Sequence, residues 1–165
     1  MCRKPFRIDK PLIAAVLLCL AAAAPVVYLI FSSVIYQRGY REFVYQLSVS
    51  TVHATDHNTL KAEQNGDTVR VSHQNAYTIF ALFTEEHPKL RRETPEDAPD
   101  LILDYGNGAV MECWEVRLED TASRRHGVFW CFTGPDGKVW MYDTDAFNIQ
   151  ALLRPTALSQ NGPWQ

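Results

Sequence analysis

The sequence lacks the short motifs that announce a common chemistry. It has no GxSxG nucleophile elbow, no phosphate-binding loop and no dinucleotide fingerprint. None of its four cysteines stands in a CxxC pair, which argues against a thioredoxin-like redox centre. A basic surplus is missing too, with 16 Lys and Arg against 19 Asp and Glu and a net charge of −3. Arg3, Lys4, Arg7, Lys10 and Asp9 give the first ten residues +3, so the remainder carries −6. Binding to nucleic acid needs a basic face, so an acidic body argues against that partner.

What is present begins with a long apolar run. Residues 12–35 contain no charged side chain. A helix of that length reaches roughly 36 Å, enough to cross a bilayer core of about 30 Å. Basic residues, an apolar run, and small residues at Ala22 and Ala24 also describe a cleavable signal. Two features favour a retained anchor. Pro25 would follow a cut after Ala24, and the apolar run continues past the alanines through Val26, Val27, Leu29, Ile30 and Phe31. Four basic residues precede the run, and Arg38 and Arg41 follow it. That excess places the N-terminus in the cytoplasm and the body outside. The expected divisions are a basic flank at 1–11, a transmembrane helix at 12–35 and a juxtamembrane linker at 36–58. An extracytoplasmic domain at 59–153 and a tail at 154–165 follow. The linker is expected to be helical to about Tyr45 and extended through LSVSTV.

The body reads as α+β, in the order β-β-α-β-β-β-β, an antiparallel meander packed on one helix. Asn65-Gly66 suits a two-residue turn and pairs Ala62 with Val69. Ser72 is an N-cap for a helix whose Ala76, Ile79, Phe80 and Phe83 recur at helical spacing. That helix should end before Pro88. The charged stretch HPKLRRETPEDAPD reads as a solvated loop, with a binding role for the Lys89-Arg91-Arg92 cluster and the acids after it as the alternative. A turn at Asn107-Gly108 pairs Leu101 with Trp114. A turn at Pro135-Asp136-Gly137 pairs Phe132 with Trp140 and Trp130 with Tyr142. Joining the two hairpins through a loop near 120–125 pairs Trp114 with Trp130. Strand alternation then leaves Ile102, Met111, Cys113, Phe129, Cys131, Val139 and Met141 on the opposite face. That face is too apolar to stay wet, so the N-terminal extended segment, the tail after Phe147 or a protein partner should cover it.

The same register sets Cys113 across from Cys131. Outside the cytoplasm this favours a cross-strand disulfide, with two half-buried thiols as the alternative. Glu112 falls toward the core face, as a buried carboxylate or as an edge residue bonded to a tyrosine such as Tyr142. HATDH supplies His53, Asp56 and His57, which suit a metal only if the segment is helical; it reads as strand or loop, and no HExxH glutamate or further ligand accompanies it. Asp143 and Asp145 read as turn residues rather than cation ligands. No cofactor is indicated.

The stretches NGDTVRVSHQNAYTIFALF, TPEDAPDLILDYGNG and GKVWMYDTDAFNIQALL give the chain a further likeness. Over about 100 residues it resembles small extracytoplasmic α+β domains of single-pass membrane proteins and lipoproteins of Gram-positive bacteria. The resemblance implies location and fold type, and no catalytic residue. Residues 12–35 are the expected contact with the lipid bilayer. The expected function is a membrane-anchored binding, sensing or accessory module. The alternatives are a metal-assisted hydrolase at His53, Asp56 and His57, a secreted protein if the leader is cleaved, or a structural subunit of a membrane complex.

Overall fold

The apolar run is helical. In the computed structural model, which describes residues 10–84, 88–117, 126–156 and 158, helix α1 spans Lys10–His57 and continues through Pro25. Its stretch from Leu18 onward is long and apolar enough to cross a membrane, a property shared by anchors and signal sequences. Leu18, Leu20, Leu29, Ile30 and Phe31 are all exposed. The chain divides into a unit Met1–Gly39 and a unit Tyr40–Gln165.

The second unit is α+β. Strands β1 (Lys61–Gln64), β2 (Asp67–Arg70), β3 (Lys89–Leu90), β4 (Leu101–Asp104), β5 (Val110–Arg117), β6 (His126–Thr133) and β7 (Val139–Thr144) form one antiparallel sheet. Its order is β2-β1-β4-β5-β6-β7-β3. Helices α2 (His73–Thr84) and α3 (Ile149–Thr156) complete it. The four-residue edge strand β2 and the two-residue edge strand β3 leave little free backbone for unwanted pairing.

The expected extended segment LSVSTV is helical. Phe43, Leu47, Ser50 and Ala54 recur at helical spacing, and all four are buried. They put the last third of α1 into the core, so the folded body begins at Tyr40 instead of 59. The helix stops at Asn58, in the left-handed region at φ 53°. There the Thr59 amide donates to the Ala54 carbonyl and the Asn58 amide to the Thr55 carbonyl. This is the paired bonding of a Schellman end, which asparagine tolerates.

The Asn65-Gly66 hairpin has its expected register, with Ala62 opposite Val69 and both turn residues at positive φ. Ser72 caps α2, its hydroxyl accepting from the Asn75 amide, and Ala76, Ile79 and Phe83 are buried. The Pro135-Asp136-Gly137 turn also holds, pairing Phe132 with Trp140 and Trp130 with Tyr142. The hairpin between β4 and β5 departs from expectation. Leu101 pairs with Cys113, not Trp114, because the loop closes one residue earlier. The Tyr105 amide donates to the Ala109 carbonyl, which leaves three residues in the turn. Gly106 and Gly108 both adopt positive φ, and Gly106 lies directly against Thr59.

A shift of one residue reverses every side chain of β5. Met111 and Cys113 face inward beside Leu101, Leu103, Trp130 and Phe132. Trp114 pairs with Phe129 and joins it on the outer face. The inner face is sealed by helices. Phe43 of α1 packs edge-on against Phe132, Phe83 of α2 edge-on against Trp130, and Leu152 and Leu153 of α3 are buried. The expected β5–β6 loop near 120–125 and the C-terminal stretch LSQNGPWQ, apart from Leu158, lie outside the described residues.

Candidate functional site

The outer face of the sheet is covered by the chain itself, through a segment not expected to do so. Residues 91–100 connect β3, at one edge beyond β7, to β4, on the far side of β5. The connection must therefore cross β7, β6 and β5. It does so as a strap over the outer face, held at both ends and in the middle. The Arg91 amide donates to the Met141 carbonyl and the Asp100 amide to the Cys113 carbonyl. Trp114 donates its indole N–H to the Asp97 carbonyl at 2.8 Å, and Asp100 Oδ2 accepts from the Glu115 amide at 2.7 Å. Beneath lies a small apolar cluster of Trp114, Phe129 and Cys131, flanked by Val116 and Met141. Half-buried Pro95 and Pro99 fix the strap's path, since proline restricts φ and the residue before it avoids the helical region.

Between strap and sheet is an open cleft of about 420 Å³. Arg91, Arg92, Glu93, Thr94 and Pro95 form its wall, and Val116, Phe129 and Asp143 its floor. Asp143 is the unusual member. Its side chain is 3 % exposed, and its Oδ2 accepts from Arg91 Nε at 2.7 Å and pairs with Arg91 Nη2. Asp143 Oδ1 is buried and has no partner among the described residues. A buried carboxylate with one oxygen unsatisfied is unfavourable for folding, and such groups concentrate where a protein does something besides fold. The Arg91 guanidinium, by contrast, is half exposed and faces the cleft. A second, wider depression of about 670 Å³ is lined by His126, Asp145, Phe147 and Arg154 among others. Among the described residues, none of the buried, unpartnered side-chain atoms belongs to it.

Of the residues singled out in the sequence, Phe129 lies on the cleft floor as part of the expected outer face, and Asp143, expected in a turn, is instead a buried residue of β7; the others fall elsewhere. Cys113 and Cys131 are free thiols, and they cannot bond across the sheet. Cys113 pairs with Trp130 on the inner face, whereas Cys131 pairs with Glu112 on the outer face, so their side chains point in opposite directions. Burial pushes the Cys113 thiol well up, with further contributions from Glu112, Asp100 and Cys131. Burial and then Glu112 raise Cys131. Glu112 itself does not enter the core. The shifted register puts it on the outer face between Ile102 and Cys131, partly exposed. Met111, expected on the partner-binding face, is fully buried on the inner one.

His53 and His57 lie on helix α1, one turn apart, with stacked rings 4.4 Å between centroids. His57 Nδ1 lies 3.0 Å from the His53 carbonyl oxygen. Asp56 is exposed, and no group of three metal-binding side chains occurs among the described residues. The pair thus has the helical spacing that its sequence context argued against, with no third ligand beside it among the described residues. The basic cluster containing Arg91 and Arg92 is visible in the sequence as a binding alternative, but its place over the sheet is not, because HPKLRRETPEDAPD reads as a solvated loop. The usable signal was the apolar outer face, whose need for cover pointed to some segment of chain. Comparison with protein families, with curated proteins and with solved structures finds no match to this chain.

Proposed function

We propose that the chain is a single-pass membrane protein that displays a non-enzymatic binding or sensing body outside the cytoplasm. The observation that carries the reading is the pairing of two features in one short chain. One is a helix long and apolar enough to cross a membrane, with the apolar residues of its span from Leu18 to Ile35 exposed. The other is a folded body whose sheet is closed by helices on one face and opens into a cleft on the other. Helix α1 supplies the anchor through residues 12–35, and its basic N-terminal flank supports a cytoplasmic N-terminus. The resemblance to small extracytoplasmic domains of Gram-positive bacteria agrees with this arrangement. The body works through the strap side, the face not occupied by packing helices.

Sidedness is tested by placing one cysteine on the body. Lys61 is exposed, whereas Cys113 and Cys131 are buried. Lys61→Cys should react with a membrane-impermeant maleimide in intact cells, above the background of the parent protein. Reaction only after lysis would contradict the reading.

A further inference from the structure

Resting on the binding role just proposed, we infer that the cleft beneath the strap takes a small carboxylate with an apolar tail, such as an acylated apolar amino acid. Four features lead to this class. The volume, about 420 Å³, lies in the range of small-molecule sites. The floor is apolar where Phe129 and Val116 meet it, which favours a hydrocarbon or aromatic tail over a bare ion.

The lining holds two guanidinium groups, Arg91 and Arg92, and two carboxylates, Glu93 and Asp143, with Arg91 already bonded to Asp143. Asp143 lies at the base with its carboxylate almost wholly covered, so it is not the first group encountered. Arg91 and Arg92 are both exposed on the wall, opposed by the single exposed acid Glu93. Guanidinium groups match a carboxylate in plane and can bond it through two N–H groups. Asp143 acts as a positioning residue. By holding Arg91 through Nε and Nη2, it fixes the orientation of that guanidinium against the cleft. The strap's bonds at Asp97 and Asp100 anchor the same wall to the sheet at its other end, so little ordering remains for a ligand to bring about.

The test is calorimetric titration of the full-length protein in phospholipid nanodiscs, with empty discs as the blank. The probes are N-acetylphenylalanine, its uncharged amide and inorganic phosphate. The acid should bind, and the amide should bind roughly tenfold to hundredfold more weakly, the usual effect of losing a charge-assisted contact. Arg92→Gln, an exposed substitution that leaves packing intact, should weaken the acid by a similar factor and leave the amide unchanged. Binding of the acid should also weaken with added salt. Equal binding of acid and amide would overturn the carboxylate assignment while leaving a binding cleft in place. Phosphate bound as tightly as the acid would overturn the requirement for an apolar tail. No heat from any probe would overturn the inference altogether, and the maleimide experiment would still decide the location of the body independently.

Discussion

The shifted hairpin between β4 and β5 places every side chain of the central strand, and Gly106 holds that shift. Its φ of +78° lies where a Cβ is disfavoured, and an added Cβ would sit 2.5 Å from Thr59 Cβ and 2.6 Å from Thr59 Oγ1. Thr59 has little room to retreat, because its hydroxyl donates to the Tyr105 carbonyl at 2.8 Å. For Gly106→Ala, the backbone penalty is about 1–2 kcal/mol. Forcing a methyl into a filled space adds about 1–3 kcal/mol. The sum, about 2–5 kcal/mol, is a large share of the stability of an ordinary domain. For a body of roughly 125 residues it corresponds to a fall in Tm of about 8–20 °C. Thermal melting followed by tryptophan fluorescence reads this directly.

Removing the Thr59 side chain separates the two contributions. In a Thr59→Gly background the contact disappears and the φ penalty stays, so Gly106→Ala should cost about 1–3 kcal/mol less there. With a two-residue turn at Asn107-Gly108, position 106 would be ordinary strand and alanine would be accepted. A drop in Tm under about 2 °C, or the same cost in both backgrounds, would refute the three-residue turn, using the size scaling of melting shifts.

Further outcomes follow from the inverted strand and the buried groups. Incubation with oxidised glutathione should leave Cys113 and Cys131 unbonded to each other, and an intact mass showing the loss of two hydrogens between them would contradict their placement on opposite faces. Tyr105 is fully buried with no partner for its hydroxyl among the described residues, so Tyr105→Phe should stabilise the body by about 1 kcal/mol; a loss of that size would reveal a missing bond. Burial raises both the Tyr105 phenol and the Cys113 thiol above their ordinary values, so each contributes stability that is complete below its unfolded value and is lost as pH rises past it. Melting temperature should therefore fall from about pH 9 upward, and less steeply in Tyr105→Phe; a flat profile to pH 11 would count against both buried groups. Asn58→Gly should leave the end of α1 intact, whereas Asn58→Ala should destabilise by about 1 kcal/mol through its left-handed conformation, and equal melting of the two would argue against that cap.

Much of the fold could be read where local chemistry and tertiary packing agree. Asn65-Gly66 and Pro135-Asp136-Gly137 each permit one loop length, so their registers follow. Ser72 and the spacing of Ala76, Ile79 and Phe83 mark α2 equally clearly. Tyr105-Gly106-Asn107-Gly108-Ala109 is ambiguous, because two glycines offer both a two-residue and a three-residue turn. What decides is the approach of Thr59, which is distant in sequence. A match of Trp114 with Trp130 does not discriminate, since strand alternation makes a register shifted by one look equally regular. The cysteine pair and the core position of Glu112 fell with it.

Helix α1 shows the opposite conflict. Val49, Thr51 and Val52 favour extended structure by propensity, while Phe43, Leu47, Ser50 and Ala54 carry the helical period in residues two of which are small. Packing overrides propensity there. Asn58, an accepted residue at a helix end, was the available sign of how far the helix runs. The strap was hidden for a related reason. Its residues are polar because one side faces water, and the bonds that fix it go largely through backbone atoms that composition does not report.

The anchored state is tested most directly by extracting native membranes with alkaline carbonate and taking the intact mass of the protein that remains in the pellet. Full-length protein is expected in the pellet, with residues 12–35 still attached to the body. Protein released to the supernatant, or a pellet species lacking those residues, would contradict the anchored state.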